Sequence, residues 1–279
     1  MSLFVTSLNS GSNGNCYYIG NTSEAVLVDA GISCRETEKR LNRLELSLEK
    51  VKAIFVTHEH SDHIMGVRML AKKHKLPVYI TPRTKMNGRL NFAPNLVNSF
   101  LAYQPVTIGN LTITAFPKFH DAADPHSFIV SDGNVKVGVF TDIGVACPHV
   151  ISQFSQCHAA FLEANYDEYM LEHGRYSYAL KNRIRGGKGH LSNTQAMNLF
   201  TTHRPPFMSH LFLSHLSHDN NSPEVVERIF APIAEQTKII IASRFVETSV
   251  YHIEHNPVRE VIPTKSVSNL KFNFQLRLF

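Results

Sequence analysis

The segment Thr57–His63, with the sequence THEHSDH, constrains this chain more than any other feature. Its three histidines and one aspartate lie within six positions, directly after an apolar run that predicts a buried strand. Imidazoles and a carboxylate are suitable ligands for Zn, Mn, Fe or Ni. His58 and His60 alternate and can face one ion, whereas Asp62 and His63 follow where a helix begins and can face a second. The spacing predicts a metal site; the alternative is a solvated polar loop.

Apolar, β-rich runs alternate with segments of helical periodicity along most of the chain. Buried strands are predicted at Ala25–Ala30, Val51–Thr57, Leu111–Phe116, Val135–Phe140, Ala159–Glu163, His210–Ser214 and Lys238–Ala242. Helices are predicted at Ile64–His74, Pro223–Ala231 and Ser192–Thr202, the last with Ser192 as its N-cap. We therefore expect an α/β fold in which helices cover the outer faces of the sheets.

The pattern H-x-H-x-D-H at residues 58–63 is similar to the signature of the metallo-β-lactamase superfamily. The resemblance implies a four-layer αββα sandwich, formed by residues 1–279 as a single domain, with a metal site at one edge of its two sheets. It also implies further ligands: His120 after LTITAFP, Asp142 after VKVGVF and His215 after HLFLS. Asp29, at the end of AVLVDA, matches a residue that supports the ligand loop without binding metal.

The same resemblance implies two divalent ions, whose identity as Zn, Mn, Fe or Ni stays open. One ion would be held by His58, His60 and His120, the other by Asp62, His63 and His215, with Asp142 as the bridge. Two such ions favour hydrolysis, with Asp62 also counted among the catalytic residues. Other histidines compete for these positions: His126 with His120, and His210 and His218 with His215.

Two further motifs, LEAN at residues 162–165 and GHLSN at residues 189–193, narrow the chemistry. Their order is similar to that in the tRNA 3′-processing endonucleases. Carried over by position, Glu163 would orient His190, and His190 would donate a proton to the departing oxygen. The alternative is that Glu163 ends a strand in solvent and His190 only caps the next helix.

Longer strings, including SLNSGSNGNCYYI, FHDAADPHSF, YSYALKNRIRGGKGHLSN and HLSHDNN, resemble the YycJ/WalJ group of this superfamily. That resemblance implies a bacterial exonuclease acting on DNA in the 5′→3′ direction. Two departures stand out: His218 replaces an expected basic or polar residue, and ASRF near Arg244 differs from the ending of the tRNA-processing enzymes. The alternatives are a tRNA-processing-like endoribonuclease and a small-substrate hydrolase acting on thioesters or lactones.

The region 165–189 is rich in Tyr, Arg, Lys and Gly and is expected to form a basic surface insertion. Cations and aromatic rings at such a place bind phosphates and stack on unpaired bases, although a solvated loop would have the same composition. The residues expected to contact nucleic acid are Arg183, Arg185 and Lys188 in this region, Ser12 and Asn13 in the Gly-rich loop 9–15, and Asn220. A plain tight turn is the alternative for the Gly-rich loop.

The composition, 43% hydrophobic and 18% charged, is typical of a folded protein and excludes disordered and collagen-like chains. The net charge of +5 and a pI near 9.0 favour an anionic partner, which we expect to be nucleic acid. The four cysteines form no C-x-x-C pair, so reduced thiols are expected. The N-terminus lacks the pattern of a signal peptide, and no apolar run is long enough to span a bilayer. We expect a cytoplasmic protein without a membrane partner.

Overall fold

Two mixed β-sheets of seven strands each lie face to face among residues 2–255, the residues that this computed structural model describes. Helices cover the outer face of each sheet, so the order of layers is αββα. The predicted fold class is therefore confirmed. The expected single domain extends to residue 279, and its last 24 residues, 256–279, lie outside the described part of the chain.

The first sheet has the spatial order β14-β1-β2-β3-β4-β5-β6. Its strands are β1 (Ser2–Asn9), β2 (Cys16–Gly20), β3 (Ala25–Val28), β4 (Val51–Phe55), β5 (Val78–Tyr79), β6 (Val97–Asn98) and β14 (Tyr251–Glu254). Strands β3 to β6 run parallel, whereas β14, β1, β2 and β3 pair antiparallel. The carboxyl ends of β3 and β4 therefore lie at the same edge of the sheet.

The second sheet has the spatial order β13-β12-β11-β10-β9-β8-β7. Its strands are β7 (Val106–Ile108), β8 (Leu111–Pro117), β9 (His126–Ser131), β10 (Lys136–Phe140), β11 (Ala159–Glu163), β12 (His210–Ser214) and β13 (Lys238–Ile241). Strands β7 to β10 pair antiparallel, and β10 to β13 run parallel. The predicted bounds of β11 and β12 are confirmed.

Nine α-helices are present in the described residues. They are α1 (Cys34–Arg43), α2 (Ser61–Ile64), α3 (Val67–His74), α4 (Pro82–Asn87), α5 (Pro148–Phe154), α6 (Glu168–His173), α7 (Tyr178–Arg185), α8 (Asn193–His203) and α9 (Pro223–Phe230). None of these helices has the length and apolarity that crossing a membrane requires.

Residue alternation explains why both faces of each sheet are apolar. On β3, Val26 and Val28 pack in the layer between the two sheets, whereas Leu27 packs under the helices of the outer layer. On β11, Phe161 faces the other sheet and Leu162 faces the outer helices. A strand that is buried on both faces has a continuous apolar sequence, which is the pattern the sequence shows.

Two local predictions have different outcomes. Ser192 is the N-cap of α8 and forms a capping box with Gln195, as the sequence indicated. The predicted continuous helix Ile64–His74 is wrong, because α2 ends at Ile64 and α3 begins at Val67. Gly66 lies in the break, where its N–H donates to the Ala30 carbonyl at 2.8 Å.

The region 165–189, the most irregular part of the sequence, contains two short helices, α6 and α7. Leu171 of α6 and Ile184 of α7 pack on Tyr166 in a small apolar cluster of their own. The region is therefore an ordered helical pair on the surface. Its last residues return to the sheet edge, because the Gly189 carbonyl accepts a hydrogen bond from His120 Nδ1 at 3.0 Å.

Candidate metal centre

Strand ends bring the predicted site residues together. Segment 57–63 follows β4, Asp142 follows β10, Glu163 is the last residue of β11, and His215 follows β12. Because the carboxyl ends of parallel strands meet at one edge of a sheet, side chains that are far apart in sequence converge there. His120, which follows β8, joins the same edge from the antiparallel part of the second sheet.

Ligand atoms of the seven proposed metal-binding residues form three overlapping sets, and within each set they lie within 4.8 Å of one another. The sets are His58, His60 and His120; Asp62, His63 and His215; and His58, His63 and Asp142. The first two sets are the same groupings that the sequence analysis assigned to the two ions. The third set links them through Asp142.

Asp142 lies between the two sets of ligands. Its Oδ2 is 3.0 Å from His63 Nε2, and its Oδ1 is 3.7 Å from His120 Nε2 and 3.6 Å from His215 Nδ1. Oδ2 is buried, and because a neutral His63 ring carries its proton on Nδ1 against Asp29, Oδ2 accepts no hydrogen bond from the described residues. A buried carboxylate oxygen is normally satisfied, so this oxygen, surrounded by imidazoles, fits coordination to a divalent cation.

Asp29 lies behind the ligands rather than among them. Its carboxylate accepts hydrogen bonds from the Thr57 N–H and the Thr57 hydroxyl, both at 2.8 Å, and from His63 Nδ1 at 2.7 Å. The last bond fixes the His63 ring so that Nε2 faces the cluster. The supporting role that the resemblance implied for Asp29 is consistent with these contacts.

Three residues at this edge have left-handed backbone conformations. Asp29 has a φ of 60°, Asp142 a φ of 55° and His215 a φ of 57°. Residues other than glycine rarely adopt positive φ, and such strain is concentrated at functional sites where the surrounding structure enforces it. The turn after each strand thus directs the side chain towards the cluster.

Glu163 contacts two histidines, whereas sequence reasoning gave it only one. Its Oε1 accepts hydrogen bonds from His190 Nδ1 at 2.8 Å and from His215 Nδ1 at 2.9 Å. Its Oε2 accepts from the backbone N–H groups of Ile143 and Leu191 at 2.8 and 3.1 Å. The buried carboxylate therefore orients both His190 and a proposed metal ligand. The alternative in which Glu163 ends a strand in solvent is wrong.

The electrostatics of the cluster favour a bound cation. Burial raises the pKa of the Asp142 carboxyl, but the charges of His215 and His63 outweigh burial and hold this pKa well below its usual range. Burial also raises the pKa of Glu163, which His190 and His215 nevertheless lower to about 2. Conversely, burial lowers the pKa of His215, yet Asp142 and the other carboxylates raise it to about 10. Several buried carboxylates thus require positive charge at this position, which divalent ions supply.

The competing histidines lie outside these sets. His126 donates from Nδ1 to the Asp124 carbonyl at 3.0 Å, and its ring packs edge-on against Phe100. His210 lies at the start of β12, at the opposite end of the strand from His215. His218 is exposed and pairs with Asp219 at 2.8 Å.

The basic residues expected to bind substrate have different surroundings. Arg183 pairs with Asp121 at 2.5 Å, and Asp121 is 3.4 Å from His120 Nε2, so Arg183 lies at the rim of the cluster. Lys188 is exposed, and its backbone packs closely on Gly144, two residues after Asp142. Arg185 instead pairs with Glu172 at 2.9 Å and donates to Asn182, neither of which is a proposed ligand.

Two backbone N–H groups of the Gly-rich loop 9–15 already have hydrogen-bond partners in the protein. The Gly14 N–H donates to the Gly11 carbonyl at 2.9 Å, and the Asn15 N–H donates to the Asp62 carbonyl at 2.7 Å. These two donors are not available to a phosphate, whereas the phosphate contact expected of Ser12 and Asn13 stays a prediction. Ser12 and Asn13 are exposed at the tip of the loop.

Asn220 was expected to contact the substrate, but its side chain is buried. Its Nδ2 donates to Ser217 Oγ at 3.4 Å. Its Oδ1 packs against Gly174, so closely that a Cβ atom at position 174 would lie only 2.6 Å from this oxygen. Asn220 therefore fills the space between the 217–221 loop and the helical pair and is not presented at the surface.

Four residues of the site were missed by the sequence reasoning. Asn15 Nδ2 donates to Asp62 Oδ2 at 3.1 Å, and Ser10 Oγ accepts from the His215 N–H at 2.8 Å. Asn165 Nδ2 donates to the His215 carbonyl at 2.8 Å, and Lys118, which is buried, donates to the Thr141 carbonyl at 2.6 Å. Asn15 and Asn165 lie in segments that were already noted, GSNGN and LEAN, but their contacts are long-range and leave no mark on local periodicity.

Comparison with known proteins agrees with this architecture. The family described as Beta-lactamase superfamily domain matches residues 24–215. Exodeoxyribonuclease YycJ of Bacillus anthracis is 33% identical over 249 residues, covering 88% of this chain and 94% of that protein. Exodeoxyribonuclease WalJ of Streptococcus pneumoniae is 31% identical over 225 residues, covering 78% of this chain and 83% of that protein.

Among solved structures, the metallo-β-lactamase fold protein YhfI from Bacillus subtilis superposes with a TM-score of 0.67 over 90% of this chain and 100% of that chain. Its sequence identity is 17%, so this likeness concerns the fold alone. The family match spans the strand ends from β3 to β12. The chain therefore belongs to the β-lactamase superfamily and, within it, to the family of the YycJ and WalJ exodeoxyribonucleases, as a metal-dependent hydrolase of the metallo-β-lactamase fold.

Proposed function

We propose that this protein is a dinuclear-metal phosphodiesterase that degrades DNA from a 5′ end. The seven ligands would hold two divalent ions, Zn, Mn, Fe or Ni, in the grouping that the sequence analysis assigned and that the close ligand atoms support. Such ions supply an activated water and neutralise the charge of the attacked phosphate. Side chains of this protein would donate the proton to the leaving group and bind the substrate.

The observation that carries the proposal is the position of His190. It contacts Glu163 at 2.8 Å and lies next to the rings of His120 and His215, with centroids 5.3 and 5.4 Å away. Its ligand atom also lies within 4.8 Å of those of Asp142, Glu163 and His215, but the seven proposed ligands do not include it. With Nδ1–H bonded to Glu163, a doubly protonated His190 ring would give its Nε2 proton to the departing oxygen and be left neutral. A phosphodiester needs such a donor, because its leaving group is a poorly stabilised alkoxide.

The substrate class rests on the relatives and on charge. The two relatives reported above are named exodeoxyribonucleases and align over most of this chain. The net charge of +5 and the position of Arg183 and Lys188 at the rim of the cluster favour a polyanion. Binding should therefore weaken steeply as salt concentration rises.

Digestion of end-labelled substrates tests the proposal. Metal-stripped protein would be supplied with each candidate ion in turn and incubated with single- and double-stranded DNA, with RNA, and with a thioester. We expect mononucleotides to be released from DNA carrying a 5′ label before the 3′ label is affected. Metal-loaded protein that leaves DNA intact but cleaves RNA internally, or hydrolyses the thioester, would support one of the alternatives instead.

A matched pair of variants tests the metal assignment. His215 and His218 both follow β12, but only His215 lies in a ligand set. We expect His215→Ala to lose one metal equivalent by elemental analysis and to lose DNA cleavage, while His218→Ala keeps both metal equivalents. Equal metal content in the two variants would contradict the proposed ligand grouping.

A further inference from the structure

A second pocket adjoins the proposed metal centre. It has a volume of about 320 Å³ and lies between the loop that follows β12 and the loop that follows β13. Leu216, Pro223 and Ala242 form apolar parts of its wall, and Arg244 and Phe245 line it from the second loop. Concave sites of this size, mostly apolar with a few polar groups, are typical of small-molecule binding.

Two residues of the pocket wall adjoin the proposed ligand His215. Ser10 lines the pocket and also accepts the hydrogen bond from the His215 N–H at 2.8 Å. Leu216, another lining residue, directly follows His215 in the chain. The Ser10 N–H donates to the Ser243 carbonyl at 3.1 Å, which ties the second loop to the same edge. A strand of substrate at the metal centre can therefore extend into this pocket.

Arg244 provides a cation with an unused donor. Its Nη1 is buried and has no hydrogen-bond partner within residues 2–255. Its backbone is held in place, because the Arg244 carbonyl accepts from Asn13 Nδ2 at 2.8 Å. A buried N–H group without a partner is unfavourable, and a guanidinium binds phosphate oxygens through two parallel hydrogen bonds.

Phe245 provides an exposed aromatic face next to that cation. It is 70% exposed, and the Arg244 guanidinium carbon lies 5.9 Å from its ring centroid. An exposed aromatic ring beside a cation is the combination that binds unpaired bases together with their phosphates. The hydroxyl groups of Ser217 and Ser222 also line the pocket. Their oxygens accept from the Asn220 and Val225 N–H groups, which leaves each O–H hydrogen to donate to a base edge.

From these features we propose that the pocket binds the 5′-terminal nucleotide of a DNA strand, with Arg244 on the terminal phosphate and Phe245 stacked on the base. The proposal rests on the proposed nuclease function, to which it adds the recognition of a phosphorylated 5′ end. A pocket that binds a terminal phosphate would favour cleavage at DNA ends over cleavage at internal phosphodiester bonds.

Paired oligonucleotides that differ only in the 5′ group test the proposed contact between Arg244 and the terminal phosphate. The wild-type protein should have a KM at least about tenfold lower for 5′-phosphorylated than for 5′-hydroxyl DNA, the effect expected from one charge-assisted bidentate contact. Arg244→Met should remove this preference. Arg228→Met, a matched change at an exposed arginine of α9, should keep it. A wild-type protein that cleaves both substrates with equal KM would overturn the proposal.

Calorimetric titration of the metal-loaded protein with deoxyadenosine 5′-monophosphate gives a readout that does not need cleavage. We expect binding that Arg244→Met weakens at least about tenfold. Phe245→Ala, a change at an exposed side chain, should weaken binding of the nucleotide but not of inorganic phosphate. If neither variant alters these affinities while DNA cleavage by the wild type is intact, the pocket assignment fails and the proposed function stands. If the wild type cleaves no DNA yet binds the nucleotide through Arg244, the proposed function fails and the pocket assignment stands.

Discussion

Substitution of Glu163 by glutamine tests the central link between the proton donor and the metal ligands. The Glu163 carboxylate accepts four hydrogen bonds, two from imidazoles and two from backbone N–H groups. A glutamine amide has one oxygen and one NH₂ group, so it can serve only one of these pairs as an acceptor. The two possible orientations of the amide have different consequences.

In the first orientation, the glutamine oxygen accepts from the two backbone N–H groups and its NH₂ group donates to Nδ1 of both imidazoles. A ring that accepts at Nδ1 must carry its proton on Nε2. His215 cannot bind a metal ion through Nε2 in that form. Metal binding requires the opposite orientation, which leaves the Ile143 and Leu191 N–H groups without acceptors at a cost of about 1–3 kcal/mol each. The lower limit of the total, about 2 kcal/mol, corresponds to about 30-fold in affinity. That value lies within the roughly 10–100-fold typical of residues that orient metal ligands.

We therefore expect Glu163→Gln to weaken binding of one metal ion about 10–100-fold, and also to lower the stability of the metal-free protein, because the Glu163 carboxylate pairs there with His190 and His215. Competition with a chromogenic chelator measures the two affinities, and a denaturant titration measures stability. Glu24→Gln is a matched control, because Glu24 is also buried but its partners Asn21 and Asn110 lie outside the ligand sets. Two unchanged affinities in Glu163→Gln would refute the reasoning.

Three further predictions follow from the same structure. His190→Ala should keep both metal equivalents and lower the DNA cleavage rate about 10²–10⁴-fold in single-turnover assays; loss of a metal equivalent would make His190 a ligand. Phe161→Ala, between the sheets against Phe212, should lower the free energy of unfolding by about 3–5 kcal/mol in denaturant titration, and a loss under about 1 kcal/mol would contradict the packing. Arg183→Met should reduce the slope of DNA affinity against salt concentration by about one, whereas an unchanged slope would mean that its pair with Asp121 keeps it from the substrate.

The sequence by itself determined the features that depend on local pattern. Apolar runs of the right length gave the bounds of β11 and β12, and Ser192 with Gln195 gave the start of α8. The spacing in THEHSDH and the resemblance of the later motifs gave the proposed ligands, which the fold brings together at one edge. Each of these inferences needs only neighbours in the chain or the order of motifs.

The tertiary structure alone decided which distant residues contact one another. Periodicity shows which face a side chain occupies but not which partner it finds, so the double role of Glu163 and the burial of Asn220 had no local indication. For the same reason, the sequence could not distinguish Arg183, which pairs with Asp121 beside the cluster, from Arg185, which pairs with Glu172. These differences arise where loops from non-adjacent strands pack together, because a hydrogen bond between such loops depends on the position of both.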